Sequence, residues 1–304
     1  MEDKPENKAG QPHPAKGWYD RYYKILMLIP VIAVVLSLVY IGIFYNQTGD
    51  LINRDVSLKG GTTITLLGEN IDSADLQAKL QEKVPDVGFR SLSDLRTGKS
   101  IALMIESSLE PEELKSAVEE ALGDKLTDEN SSIEFTGPTL SANFYRQLII
   151  ALIISFCLMS MVIFIMFKSF IPSSAVLFAA VSDIIMALAA IDYLGVKISA
   201  AGIAAFLMLI GYSVDTDILL TTRALKKTEG TLNQRIYGAF KTGIFMTTTA
   251  LVAVLPAFFI VTGLPDSFRQ IFLILALGLF ADIFNTWLTN AGIIKWYCEK
   301  KGIK

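Results

Sequence analysis

Four aspartates, Asp183, Asp215, Asp217 and Asp282, fall inside long stretches that otherwise carry almost no charge. Lys241 stands at the edge of another such stretch. An ionisable side chain at the centre of a bilayer costs ~2.5 kcal/mol or more, so residues of this kind mark candidate functional sites. A carboxyl out of water, beside a cation that stabilises its charged form, can load and release a proton as its neighbours move. Counting along helices puts Asp183 and Asp282 near mid-depth. It puts Lys241 level with Asp217 across a helical hairpin, so the two are expected to pair. Asp215 and Asp217 are two residues apart and point to nearly opposite faces of one helix. Ser213, Asp217 and Thr221 form an i, i+4, i+8 polar stripe, whereas Asp215 shares the other side with Gly211 and Thr222. Lys241, Thr242, Thr247, Thr248 and Thr249 form a second polar cluster.

One reading is a proton relay. A second is a static ion pair, with serine and threonine hydrogen bonds holding helices together. A third is an intramembrane aspartyl-protease dyad sharing a proton, which needs two carboxylates close together on facing helices. The Y-D and G-x-G-D pattern of such proteases is absent. Asp192-Tyr193 has the reverse order, and Gly211 stands four residues before Asp215. The chain therefore reads as non-enzymatic. Asp192 and Lys197 are expected to snorkel at an interface.

The elements that must position these residues are six apolar segments. They run near Ile25–Tyr45, Leu148–Phe167, Ser173–Ile191, Ile198–Thr221, Gly243–Val261 and Gln270–Ile294. Each is long enough to cross ~30 Å of hydrocarbon at ~1.5 Å per residue. Pro172 suits the first turn of the third segment, and Pro256 predicts a kink in the fifth. The first segment reads as an uncleaved anchor, because Tyr45-Asn46-Gln47 is not a small-residue cleavage site. Trp18, Tyr19, Tyr22 and Tyr23 before it form an aromatic belt. Residues 1–16 are proline- and charge-rich and read as a disordered tail. If the N-terminus is cytoplasmic, thirteen lysines and arginines near the span ends face inward, from Lys16 to Lys304. The two short outer loops then hold Lys197 and Arg269. This bias expects both termini inside a cell membrane and residues 46–147 outside it.

The outer segment predicts strands at Thr62–Leu67, Val87–Leu92, Ser100–Ile105 and Ser132–Thr136, with a turn at Arg96–Lys99. It predicts helices at Ser73–Lys83, capped by Asp72 or Ser73, and at Pro111–Leu122, closed by Gly123. The order βαββαβ predicts a ferredoxin-like α+β sandwich. The expected division is a tail over 1–20, a first span over 21–46 and an outer domain over 47–140. Five more spans follow over 141–297, then a tail over 298–304.

Composition sets limits on function. The 304 residues are 52% hydrophobic with net charge −3, and mean hydropathy is +0.47. Nucleic-acid binding needs a concentrated basic face and is not expected. The lone histidine, His13, lies in the tail, and Cys157 and Cys298 have no metal-ligand or disulfide spacing. No metal or other cofactor is expected.

The sequence resembles the SecD/SecF family of protein-export membrane proteins, on the SecF side. One span, an outer domain, then five spans is that family's plan, one half of an RND-type transporter. Leu58-Lys59-Gly60-Gly61-Thr62 is similar to the family's D-F-x-G-G-T stretch leading into the outer domain. Gly211–Asp217, with the following Arg223, is similar to the fourth-span G-Y-S-(I/V)-N-D-T signature. Lys241-Thr242 with Thr248-Thr249 is similar to R-T-x-x-T-S-x-T-T, and Asp183 falls where the third span carries an aspartate. The match runs over about residues 20–297. The departures resemble archaeal members: Thr216 stands at the usual aspartate with Asp215 and Asp217 beside it, Lys241 replaces arginine, and Asp282 replaces glycine. The resemblance implies a subunit that pairs with a SecD-like protein near the SecYE(G) channel. It would help draw exported polypeptide across the membrane on proton flow. Its relay would be Asp215, Asp217, Lys241, Asp183, Asp282, Ser213 and Thr248, with Asp217 favoured over Asp215 as the carrier for its better-formed stripe. Membrane lipid is the surrounding partner. Two alternatives stand beside it: a proton-driven RND-type exporter of lipids or small hydrophobic molecules, and a non-transporting scaffold for SecD and the channel.

Overall fold

The computed structural model describes residues 18–68, 73–93, 100–226, 230–260 and 266–303. The tail over 1–16, the Asp72 cap and the turn at Arg96–Lys99 lie outside the described residues, as does the side chain of Ser73. Six helices are long and apolar enough to span a membrane. They are Tyr19–Thr48, Pro138–Phe167, Phe170–Tyr193, Ala200–Lys226, Leu232–Phe259 and Phe268–Lys300.

The first span is built from α1 (Trp18–Leu26) and α2 (Leu28–Thr48). A single turn, α3 (Val56–Lys59), follows it. The small unit then runs β1 (Gly61–Leu67), α4 (Ser73–Lys83), β2 (Gly88–Ser93), β3 (Ser100–Ser107), α5 (Pro111–Leu122) and β4 (Ser131–Thr136). Its strands form one antiparallel sheet in the order β2-β3-β1-β4. Alternation in β1 and β3 turns Ile64, Leu66, Leu103 and Ile105 to one face. Leu76 and Leu80 of α4 and Leu114 and Val118 of α5 close over that face. Pro111 opens α5 and Gly123 ends it in the left-handed region.

The remaining spans are α6 (Pro138–Phe167), α7 (Phe170–Tyr193), α8 (Ala200–Lys226), α9 (Leu232–Ile260) and α10 (Asp266–Phe284). A π-helical turn, Asn285–Asn290, joins α10 to α11 (Ala291–Lys300) within the sixth span. The helix of α6 starts about ten residues before the expected apolar segment, because Pro138 at its first turn lets it grow directly from β4. Half or more of the apolar stretch is buried in the third, fourth and sixth spans, against 17%, 6% and 17% in the first, second and fifth. Small residues allow this close packing. A Cβ on Gly278 of α10 would lie 2.3 Å from the side chain of Leu209 in α8. Alanines 175, 179, 180, 187 and 189 are buried on α7.

Asp86, between α4 and β2, fixes the end of β3. It accepts 2.8 Å hydrogen bonds from Ser107 Oγ and from the Ser108 amide. Burial works against its charge, but the hydrogen bonds from Ser108 and Ser107 outweigh it and hold the carboxyl below its usual range. A lowered folded-state pKa gives stability that is full above the unfolded value of ~3.9. That stability is lost as pH falls through the folded value. Asp86→Ala should therefore lower stability at neutral pH by less than about 1 kcal/mol, since the site is largely exposed. Thermal unfolding of the full chain across pH should show this difference vanishing below the folded pKa.

Candidate functional site

Three carboxyl groups meet where α7, α8 and the sixth span pack together. Asp183, Asp217 and Asp282 are each 0% exposed. Asp183 Oδ2 accepts a short hydrogen bond from Ser213 Oγ, and its Oδ1 accepts one of 2.7 Å from Asn285 Nδ2. Asp217 Oδ1 lies 2.8 Å from Thr286 Oγ1 and 2.7 Å from Asn290 Nδ2. Asp282 Oδ1 lies 2.8 Å from the same Thr286 Oγ1 and 3.0 Å from Thr216 Oγ1. Thr247 of α9 reaches Asp282 Oδ2 at 3.4 Å. Among the described residues, no lysine or arginine pairs with any of the three. Among the described residues its donors are hydroxyl and amide groups alone, and Asp217 Oδ2 is left without a hydrogen-bond partner.

Helical periodicity explains which residues join it. The polar stripe of α8 turns Ser213 and Asp217 inward, together with Thr216. Asp215 faces outward and lines a shallow cavity of about 420 Å³ with Tyr212, Met246 and Thr249. Lys241 does not pair with Asp217. Its ammonium lies 5.0 Å over the Tyr237 ring on an exposed face of α9. The face of α9 toward the sixth span is set by Gly243, where a Cβ would lie 2.2 Å from Trp287, and by Thr247 one turn on. Lys241, two residues before Gly243, points to the opposite side. Thr248 is exposed for the same reason, and its neighbour Thr247 takes the inward place. Sequence reasoning named Thr216 and Thr247 without placing them against the acids, and missed Asn285, Thr286 and Asn290. The signal was present: Asp282, Thr286 and Asn290 stand at i, i+4, i+8 in an apolar segment.

A strap ties this core to the sheet unit. Asp192, at the end of α7, is buried rather than snorkelling, and accepts the Asn53 amide at 3.3 Å. The strap before α3 folds back over this position and removes it from the interface. Ile198 donates to Asn53 O at 2.6 Å and accepts from the Asp55 amide at 3.0 Å. The Ala200 amide donates to Ser57 Oγ at 3.2 Å. Asp55 is also paired with Arg90 of β2 at 3.3 Å, and Arg90 reaches Glu106 of β3 at 3.2 Å. The strap enters β1 through Gly60 and Gly61, whose φ values are 88° and 141°. A Cβ on Gly60 would lie 2.5 Å from Pro138 Cα, and one on Gly61 would lie 2.2 Å from Ser107 O.

Residues 116–300 match the family described as protein export membrane protein SecD/SecF, C-terminal. The protein-export membrane protein SecF of Methanothermobacter thermautotrophicus is 38% identical over 282 residues, which cover 91% of this chain and 93% of that one. Its counterpart in Methanocaldococcus jannaschii is 37% identical over 281 residues, covering 90% of this chain and 95% of that one. The fold is similar to the crystal structure of SecDF, a translocon-associated membrane protein from Thermus thermophilus. The TM-score is 0.70 at 16% identity, and the match covers 93% of this chain. This chain spans 39% of the length of that structure.

The two glycines give a direct test of the path between strap and sheet. Gly61→Ala meets a backbone oxygen and a forbidden φ together, and should cost ~2 kcal/mol or more. Gly123→Ala, strained in φ but open around its Cβ, should cost about 1 kcal/mol. Denaturant unfolding of the two variants side by side checks the ranking.

Proposed function

The chain belongs to the SecF family of protein-export membrane proteins and is an auxiliary subunit of Sec protein export; from that premise we propose that proton movement through Asp183, Asp217 and Asp282 drives its part in export. The observation that carries this reading is three wholly buried carboxyl groups, linked by hydroxyl and amide donors and lacking a described cation. A purely static joint between helices needs no ionisable group at this depth, where each costs ~2.5 kcal/mol or more. Thr216 stands where the family pattern carries an aspartate, and Asp282 of the sixth span brings a carboxylate to its hydroxyl. In this reading the acid has moved from the fourth span to the sixth while staying in the same place in space.

The small βαββαβ unit is read as a ferredoxin-like domain outside the cell membrane, spanning about 47–140, with both termini cytoplasmic. The lysine and arginine bias of the loops and the strand order β2-β3-β1-β4 support this. The partners are a SecD-like protein of matching plan, the SecYE(G) channel, the exported polypeptide and the surrounding lipid. Asp183 sits on α7 and Asp217 on α8, and the turn between these two helices holds the strap. A change of protonation alters which donors the carboxyls need. It thereby favours one of two settings of α7 and α8 against the sixth span. The strap passes that change to the outer domain. The membrane potential supplies about 2.3 kcal/mol per charge per 100 mV.

Export into proteoliposomes or inverted vesicles under an imposed proton gradient tests the reading. Asp217→Asn and Asp282→Asn should each reduce gradient-driven export by about tenfold or more, a loss of roughly 1.4 kcal/mol in driving balance. Asp215→Asn, outside the cluster, should stay within about twofold. Wild-type export in both Asp217→Asn and Asp282→Asn would reject the proton drive and leave the scaffold role.

A further inference from the structure

We propose that Thr286 is a positioning residue that carries one shared proton between Asp217 and Asp282, and that the π-helical turn exists to place it there. This deepens the proton reading given above and rests on it. Thr286 Oγ1 lies 2.8 Å from Asp217 Oδ1 and 2.8 Å from Asp282 Oδ1. A hydroxyl has a single hydrogen to donate. It satisfies one carboxylate oxygen, and the other contact is then oxygen against oxygen with nothing between them. Both contacts are favourable only if the second carboxyl brings its own hydrogen. The two carboxyls therefore hold at least one proton between them.

The neighbours do not supply another solution. Thr216 Oγ1 has its own single hydrogen, facing the Ser213 carbonyl at 2.8 Å and both Asp282 oxygens at 3.0 and 3.2 Å, and it lies 3.5 Å from Thr286 Oγ1. Asn290 Nδ2 donates to Asp217 Oδ1, which leaves the Thr286 contact unchanged. The charged groups on the packed elements stand elsewhere. Asp183 of α7 is occupied by Ser213 and Asn285, Asp215 of α8 faces outward, and Lys241 of α9 lies over Tyr237. Lys295 and Glu299 of α11 and Asp20 of α1 are grouped together toward the end of the span. No residue of α2 is charged.

The transfer balances without an outside reactant. The O–H bond of the protonated carboxyl breaks as its hydrogen joins Thr286 Oγ1. The Thr286 O–H bond breaks as that hydrogen joins the other carboxylate. One negative charge moves between α8 and the sixth span in the opposite direction, and the hydroxyl is regenerated.

The π turn explains how Thr286 and Asn290 both reach one aspartate. In an α-helix, four residues overshoot a full turn by about 40°, so Asp282, Thr286 and Asn290 would drift around the helix. A π turn holds more residues, so four fall short instead and the drift is cancelled. The Ala291 amide bonds to Thr286 O, the i→i+5 bond that defines this turn. All three side chains then face α8.

Infrared difference spectroscopy on the full chain in lipid at neutral pH reads the shared proton as a protonated-carboxyl C=O stretch. That band should be lost in Asp217→Asn and equally in Asp282→Asn, because sharing needs both groups. Thr286→Val should shift it to higher frequency by removing its hydrogen-bond partner. Thr286→Ser, which keeps the hydroxyl, should restore the wild-type position and shows that the site still folds. No band in the wild type, or the same band position in Thr286→Val and Thr286→Ser, would overturn the proposal. A band that behaves as expected, with export indifferent to the imposed gradient, supports the shared proton and rejects the proton drive instead.

Discussion

A carboxyl group removed from water must find donors, and in the middle of a membrane only neighbouring helices can provide them. That requirement organises the inner three spans. Asp183 draws Asn285, Asp217 draws Thr286 and Asn290, and Asp282 draws Thr216 and Thr247. Each of these bonds crosses from one helix to another. The small residues between them, Gly278 against Leu209 and the alanines of α7, let the helix axes come close enough for such short side chains to meet. The remaining three spans, with little of their surface buried, present apolar side chains outward as a lipid-facing or partner-facing layer does.

Much of this was legible in the residues themselves. Six apolar runs, the alternating strands and the two helices of the sheet unit follow from local chemistry, and the scarcity of charge in the spans drew attention to Asp183, Asp217 and Asp282. Rotation about the helix axis was harder to read. Depth alone placed Lys241 beside Asp217, yet depth does not fix direction. Gly243 is the residue that settles it, since only a side chain without Cβ lets Trp287 approach α9, and that choice turns Lys241 away. The π turn hid a second part of the site. Asp282, Thr286 and Asn290 recur at i, i+4, i+8, but on an α-helix they would drift around the axis, and it is the π turn that brings Thr286 and Asn290 to the same aspartate. Asp192 misled for a different reason. It lies at a span end, where charge usually meets water, but the strap covers it.

A second polar centre lies at the opposite end of the spans from the sheet. Lys295 is almost fully buried, and its ammonium meets Asp20 and Asn233 while lying 5.0 and 5.3 Å over the rings of Tyr19 and Tyr23. Removing a lysine from water requires this full set of partners. The contact fastens α1 to α11 and to the start of α9. One end of the bundle is therefore closed by charge and aromatic rings, and the other by backbone hydrogen bonds to the strap.

The chain passes between membrane and sheet unit twice, at Gly60-Gly61 and at Gly137-Pro138, and the two crossings touch. A Cβ on Gly60 would lie 2.5 Å from Pro138 Cα. Beyond these crossings the sheet unit meets the bundle where Lys197 Nζ donates to the Asp86 carbonyl at 3.2 Å, so it resembles a door hung on one edge and latched at another. Sliding away from the bundle would break the short bonds to Ile198, whereas a pivot would break only the latches. The Arg90–Asp55 pair is a further tie, between β2 and the strap. Small displacements at the hinge become the largest displacements at the far rim of the sheet, in proportion to distance from the axis. The work of such a swing is set by leverage as much as by the size of the step inside the membrane.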